Sequence, residues 1–125
     1  MSHQHAFFDS IARARCLSLT TFKRDGTPVA TPVWFNVIDG KICVTTTVDA
    51  WKVKRIRNNP RVELATCTQR GKVTGPTIAG SARLLSPEET EPVLKAKRRR
   101  YLTARLIEMV PRNRNQIGIE IIAGS

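Results

Sequence analysis

Histidine is nearly absent from this 125-residue chain: His3 and His5 are the only two, both close to the start. A serine or cysteine nucleophile paired with a histidine base therefore lacks raw material in the body of the chain. Cysteine is scarce as well. Cys16, Cys43 and Cys67 are odd in number, far apart and never in a Cys-x-x-Cys arrangement, so neither a disulfide framework nor a zinc site is indicated. Each reads as a small core residue, and a reducing cytoplasm fits. Acidic residues number 10, and Asp25, Asp39, Asp49 and Glu89 fall at turns and caps, which leaves no carboxylate pair for acid–base work. No apolar run approaches a membrane span. The opening residues Met1 to Phe8 lack the charged, apolar and small-residue regions of a secretory signal. With two Trp, one Tyr and four Phe, and only Trp51 and Tyr101 near basic clusters, a nucleic-acid stacking platform is not apparent.

What the chain has in excess is positive charge: 21 Lys and Arg give a net charge of +11. The excess is clustered. Residues 51 to 72 hold Lys52, Lys54, Arg55, Arg57, Arg61, Arg70 and Lys72 against Glu63 alone, and a second cluster runs from Lys95 to Arg105. An anionic partner is implied. The second cluster reads as a solvated helix face. An apolar share of 41% and regularly spaced turn signals argue against disorder, and residues 1 to 125 read as one domain, small enough to want a homodimeric partner.

Taken in order, residues 5 to 15 have the spacing of a short amphipathic helix. Leu17 to Lys23, Thr27 to Ile38, Lys41 to Thr47, Arg61 to Thr68, Pro76 to Leu85 and Gln116 to Ile122 alternate as strands. Asp25-Gly26 and Asp39-Gly40 are hairpin turns. Pro28 and Pro32 place their strand at an edge or bulge, because proline cannot donate to a ladder. Ser86-Pro-Glu-Glu89 is a capping box that opens a helix, which Pro92 divides; a further helical stretch runs from Leu102 to Met109. The pattern is mainly β, with about six antiparallel strands closing a small barrel with accessory helices.

The stretch from Thr45 to Pro60 carries the clearest chemical signal. Thr45, Thr46 and Thr47 end a strand, Asp49 stands where a helix N-cap would, and a short helix then presents Lys52, Lys54, Arg55 and Arg57 before Asn59-Pro60 stops it. Hydroxyls, helix-start amides and ammonium groups within one turn make an anion site. A solvated basic helix is the plainer alternative.

Four segments together resemble a known family: Thr20 to Phe35 (TTFKRDGTPVATPVWF), Lys52 to Val62 (KVKRIRNNPRV), Arg70 to Pro76 (RGKVTGP) and Ser81 to Leu85 (SARLL). They are similar to the pyridoxamine-phosphate-oxidase-like group of flavin and deazaflavin split β-barrels, and within it to the branch that binds coenzyme F-420. The resemblance covers roughly residues 15 to 100. It implies the FMN-binding split-barrel fold, a homodimer with cofactor grooves along the subunit interface, and a ring lined by the strand of Val33, Trp34 and Phe35. It also implies a phosphate held by Thr45, Thr46, Thr47, Lys52, Lys54 and Arg55. The family's pyridoxamine-phosphate oxidase uses an arginine and histidine pattern near its C-terminus; here Arg112 to Gln116 has no histidine, which argues against that substrate.

The activity so implied is an F-420-dependent oxidoreductase that transfers hydride to a small electrophilic substrate, with catalytic residues unassigned and no metal. FMN is the alternative cofactor, either for an oxidoreductase or for a flavin-binding protein without catalysis. A groove flanked by Arg57, Arg61, Arg70 and Lys72 would suit the polyglutamate tail of F-420, whereas FMN carries one phosphate and needs less.

Overall fold

The computed structural model describes residues 11, 14–100 and 115–124. Seven strands form one antiparallel sheet: β1 (Cys16–Phe22), β2 (Pro28–Trp34), β3 (Asn36–Ile38), β4 (Lys41–Thr47), β5 (Arg61–Cys67), β6 (Ile78–Leu84) and β7 (Gln116–Ala123). Among the described residues two helices are delimited, α1 (Trp51–Asn58) between β4 and β5 and α2 (Pro87–Arg100) between β6 and β7. The expected sheet of about six antiparallel strands is found, with a seventh strand because the stretch from Thr27 to Ile38 is two strands, interrupted at Phe35, whose ring is sunk into the core at 1% exposure. The expected helices at residues 5 to 15 and 102 to 109 lie almost wholly outside the described residues.

Strand order is β2-β1-β5-β6-β7-β4-β3. The two outermost strands, β2 and β3, are consecutive in the chain and joined through Phe35 alone. A flat sheet of seven strands cannot satisfy that connection, so the sheet curls until its edges meet, and β2 comes against β4 without a ladder between them. This is a split barrel: closed around its core, open along one seam. Pro28 and Pro32 lie on β2, one of the strands bordering the seam, as an edge proline should.

The turns follow their residues. Gly26 has φ +90° and lets Lys23 exchange hydrogen bonds across the β1–β2 turn; Asp39 and Gly40, at φ +52° and +76°, make the β3–β4 turn. Along each strand one face is apolar. Leu17, Leu19, Ile42, Val44, Val62, Leu64, Ile119 and Ile121 fill the interior with Phe35 and with Ile56 from α1.

Helix α2 begins on the expected capping box: Ser86 Oγ accepts from the Glu89 N–H at 3.1 Å, and Glu89 Oε1 accepts from the Ser86 N–H at 3.0 Å. Pro92 does not divide it. The hydrogen bond it cannot donate would go to the carbonyl of Glu88, and both residues are exposed, so water can serve that carbonyl. The helix is seated on β7 at Gly118, whose N–H donates to the buried Thr90 hydroxyl at 2.9 Å; a Cβ there would stand 2.8 Å from Leu85 Cδ1. No helix among the described residues is long and apolar enough to cross a membrane.

Candidate functional site

Helix α1 starts one residue later than Asp49 would require. The Ala50 N–H donates to the Thr47 carbonyl at 3.1 Å, and the Ala50 carbonyl in turn accepts from Val53. Ala50, in extended conformation, is therefore the N-cap, and no side chain caps the helix. The tight turn after β4 uses up the residue that would have let Asp49 serve. At the other end Asn59 donates to the Arg55 carbonyl and its side chain accepts from the Arg61 N–H, after which Pro60 ends any continuation. Val53 and Ile56 point inward and are buried, pinning α1 against β1 and β6. The helical period then sends its cations to the outside.

They meet the β1–β2 turn there. Phe22, Lys23 and Arg24 from that hairpin and Trp51, Lys54, Arg55, Arg57 and Asn58 from α1 line a cavity of about 590 Å³. Five of these eight residues are cationic and none is acidic. Among the described residues, Lys23, Arg24, Lys54, Arg55 and Arg57 make no ion pair. The Lys54 ammonium lies 4.4 Å from the Trp51 ring centroid, and Trp51 is 68% exposed, so the indole is an open apolar wall with a charge on its face. Lys52 is not among the residues that line this cavity. It is half-buried, and its pKa is lowered by burial and then by the neighbouring Arg55.

A second group of predicted residues gathers at the seam. If the β3–β4 register, with Asn36 opposite Cys43, ran two residues further, Trp34 would oppose Thr45; instead Trp34 pairs with Cys16 on β1. The end of α2 crosses this place. Asn36 Nδ2 donates to the Ala96 carbonyl at 3.3 Å, Lys97 Nζ donates to Thr45 Oγ1 at 3.1 Å, and the Lys97 ammonium stands 6.0 Å from the Trp34 ring. Arg100 lies 4.4 Å from the Phe35 ring and donates to the Ala14 carbonyl. The basic cluster beginning at Lys95 is thus not a wholly solvated face: Lys95, Arg98 and Arg99 are exposed, but Lys97 and Arg100 are half-buried against the strands. Charge in the sequence marked them; nothing in local spacing could show that Lys97 reaches Thr45, 52 residues away.

The nine expected site residues therefore fall into groups. Trp34 and Thr45 both neighbour Lys97 at the seam; Lys54 and Arg55 line the cavity; Thr46, Thr47 and Lys52 fall between Thr45 and Lys54 in the chain. Val33 packs on the core and Phe35 is within it, so their side chains face away from any ligand at the surface and only their backbone borders the seam. Cavity and Trp34 sit at opposite ends of the β1–β2 hairpin, roughly 20 Å apart by strand rise. The groove expected from Arg57, Arg61, Arg70 and Lys72 is likewise divided. Arg61, 5.7 Å from the Phe22 ring, lies at the cavity end, whereas Arg70 and Lys72 belong to the turn after β5, beside Pro32. Burial raises all three thiols, Cys43 to about 11 with help from Glu120, so none is a ready nucleophile.

The family model of pyridoxamine 5'-phosphate oxidase matches residues 3–123. Among curated proteins none matches the chain. Solved structures share the fold. A conserved hypothetical protein from Mycobacterium tuberculosis is similar over 100% of this chain and 81% of its own, with a TM-score of 0.73 and 24% identity. The heme storage protein HutZ from Vibrio cholerae matches over 94% of this chain and 87% of its own, with a TM-score of 0.73 and 13% identity. An F420 reductase matches over 94% and 93%, with a TM-score of 0.66 and 17% identity.

Proposed function

The chain belongs to the pyridoxamine 5'-phosphate oxidase family, and on that footing we propose that it is an F-420-dependent oxidoreductase acting on a small electrophilic substrate. The observation that carries this reading is the cavity between the β1–β2 turn and α1, with its five cations and no carboxylate. A single phosphate monoester brings about two negative charges at neutral pH. Five cations that make no ion pair among the described residues suit a ligand with further anionic groups, and the phosphate and polyglutamate tail of F-420 provide them. The donor set fits the cofactor: ammonium and guanidinium groups that donate to phosphate and carboxylate oxygens, with an indole beside them.

In this reading Thr46, Thr47, Lys52, Lys54 and Arg55 hold the phosphate. Lys23, Arg24 and Arg57 attract the tail, and the seam at Val33, Trp34, Phe35 and Thr45 receives the ring. When bound, the reduced deazaflavin supplies a hydride from its ring carbon. The chain's own part is to bind, to orient the ring and to exclude water from it. A homodimer in the cytoplasm, with a small-molecule substrate and no nucleic acid, completes the proposal.

FMN is the second reading. Its one phosphate needs only the α1 cations, and the half-buried Lys52 beside Arg55 offers a place for it. Parallel fluorescence titrations with F-420 and FMN at several salt concentrations separate the two. Tighter, salt-sensitive binding of F-420 supports the deazaflavin. Tighter binding of FMN transfers the activity to a flavin, and binding of neither ends the proposal.

A further inference from the structure

A phosphate and a carboxylate tail suit the cations around the cavity between the β1–β2 turn and α1, but they do not account for its aromatic side. Trp51 stands there at 68% exposure. Leaving most of an indole in water forgoes the burial that makes tryptophan favourable in a fold. Phe22, half-buried at the end of β1, is the second ring in the lining. Each ring has a cation beside it: the Lys54 ammonium is 4.4 Å from the Trp51 centroid, and the Arg61 guanidinium is 5.7 Å from that of Phe22.

Ring and cations are laid out in order along α1. Trp51, Lys54, Arg55 and Asn58 recur at the three- and four-residue spacing of one helix face, opposite the buried Val53 and Ile56. From Trp51 to Asn58 the axis rises roughly 10 Å. The indole therefore stands at the start of α1 and Arg55, Arg57 and Asn58 in its last turns, while Lys23 and Arg24 of the β1–β2 turn complete the lining. Asp25, the acid of that turn, does not line the cavity; its carboxylate accepts from the Thr27 N–H at 3.0 Å. Like charges gathered round one cavity repel each other, and a polyanion among them relieves the repulsion. The volume, about 590 Å³, falls within that of small-molecule sites, roughly 300–1,000 Å³.

We propose that this cavity is a binding site for a nucleoside diphosphate, with the base against Trp51 and Phe22 and the diphosphate received by Lys23, Arg24, Arg55 and Arg57. A planar base covers the indole, and the contact tolerates any base because every base has a π face. The guanidinium forks of Arg55 and Arg57 match phosphate oxygens in pairs. Lys54 has a flexible stem, so a base that takes its place on the indole leaves its ammonium able to reach the same phosphates. A terminal diphosphate engages more of the five cations than a single phosphate does. Among the described residues no carboxylate lines the cavity to receive a ribose hydroxyl, so ribose and deoxyribose forms bind alike. The functional reading above uses the same cations to attract the cofactor's tail, and a bound nucleoside diphosphate then excludes that tail; this consequence rests on that reading, whereas the binding itself does not.

Calorimetric titration of the whole chain with ADP, deoxy-ADP and inorganic pyrophosphate tests the site. ADP is expected to bind once per chain, its deoxy form equally well, and pyrophosphate roughly tenfold or more weakly because it lacks the base. Trp51→Leu, at an exposed position that does not hold the core, is expected to lower ADP to the level of pyrophosphate and to leave pyrophosphate as in wild type. Trp51→Phe keeps most of the ADP affinity, and Arg57→Gln weakens both ligands. ADP binding no tighter than pyrophosphate overturns the assignment, and so does a Trp51→Leu variant that loses both ligands equally or neither. A short oligoadenylate binding more tightly than ADP overturns it as well, because the face then serves single-stranded nucleic acid. Titration with F-420, alone and at saturating ADP, keeps the two readings apart. A chain that retains F-420 and ignores ADP overturns this assignment alone; one that binds ADP and not F-420 overturns the functional proposal alone. Weaker F-420 binding at saturating ADP is the expected result, and unchanged binding overturns the exclusion of the tail.

Discussion

Lys54 is where a single side chain can be asked for a measurable amount of binding. It lines the cavity, stands on the Trp51 face and makes no ion pair among the described residues. If it meets an anionic group of the ligand, Lys54→Ala removes one charge-assisted hydrogen bond and costs about 1.5–3 kcal/mol, roughly tenfold to a hundredfold in affinity. Lys95→Ala changes net charge by the same amount from an exposed position on α2 and is expected to leave affinity where it was. Fluorescence titration at one ionic strength checks the pair; equal losses would leave only a diffuse basic surface. Lys97 cannot serve as the inert control, although charge and helical spacing alone would offer it as one. The letters of the sequence marked Lys54 and Arg55, which both line the cavity, as candidates because a run of cations after a strand end is visible locally. They concealed Lys97 and the inward turn of Phe35, since both depend on how α2 and the seam come together in space.

At the scale of elements, α2 is held by a polar start and a close seat. Glu89 accepts from Arg83 and from the Ser86 N–H, and these two, Arg83 the larger, hold its carboxyl at about 2 against an ordinary 4.5. A carboxylate with a lowered pKa adds stability that is complete above the ordinary value and disappears as pH falls through the folded one. Thermal melts should therefore show wild type losing stability between pH 4.5 and 2 more steeply than Glu89→Gln; parallel acid limbs would dismiss the capping box as an acid-sensitive element. The seat at Gly118 makes a separate prediction. Valine there would drive its side chain into Leu85 and Thr90, destabilising the fold by about 1–3 kcal/mol as overpacking does, and a denaturant midpoint unchanged from wild type would refute the close approach. Most elements are legible in the sequence: the Asp25-Gly26 and Asp39-Gly40 turns, the β-branched β4, the edge prolines of β2 and the start of α2 all rest on neighbours in the chain. The break at Phe35 was not, because Thr27 to Ile38 alternates without interruption and the interruption comes from barrel closure. Nor was the continuity of α2 through Pro92, since a proline halts a helix only where its lost hydrogen bond cannot be replaced.

For the whole molecule the proposal raises the question of how one ligand would reach residues about 20 Å apart along one hairpin. Trp34 lies at the seam and Lys54 in the cavity at the far end of the β1–β2 hairpin. One answer is an extended ligand lying along a single chain. The other is a homodimer in which the seam of one protomer faces the α1 cations of its partner, as the short chain and the open edge of β2 invite. Mixing two inactive variants separates these answers. Trp34→Leu and Lys54→Ala chains are unfolded together, refolded and titrated. If each site lies within one chain, every site in the mixture carries one of the two substitutions and binding stays weak. If sites are shared, each heterodimer contains one site bearing both substitutions and one bearing neither, so wild-type affinity returns at one site per heterodimer. We expect that return, together with a dimer by light scattering. A monomer that binds stoichiometrically, or a mixture no better than its two components, would assign the site to a single chain.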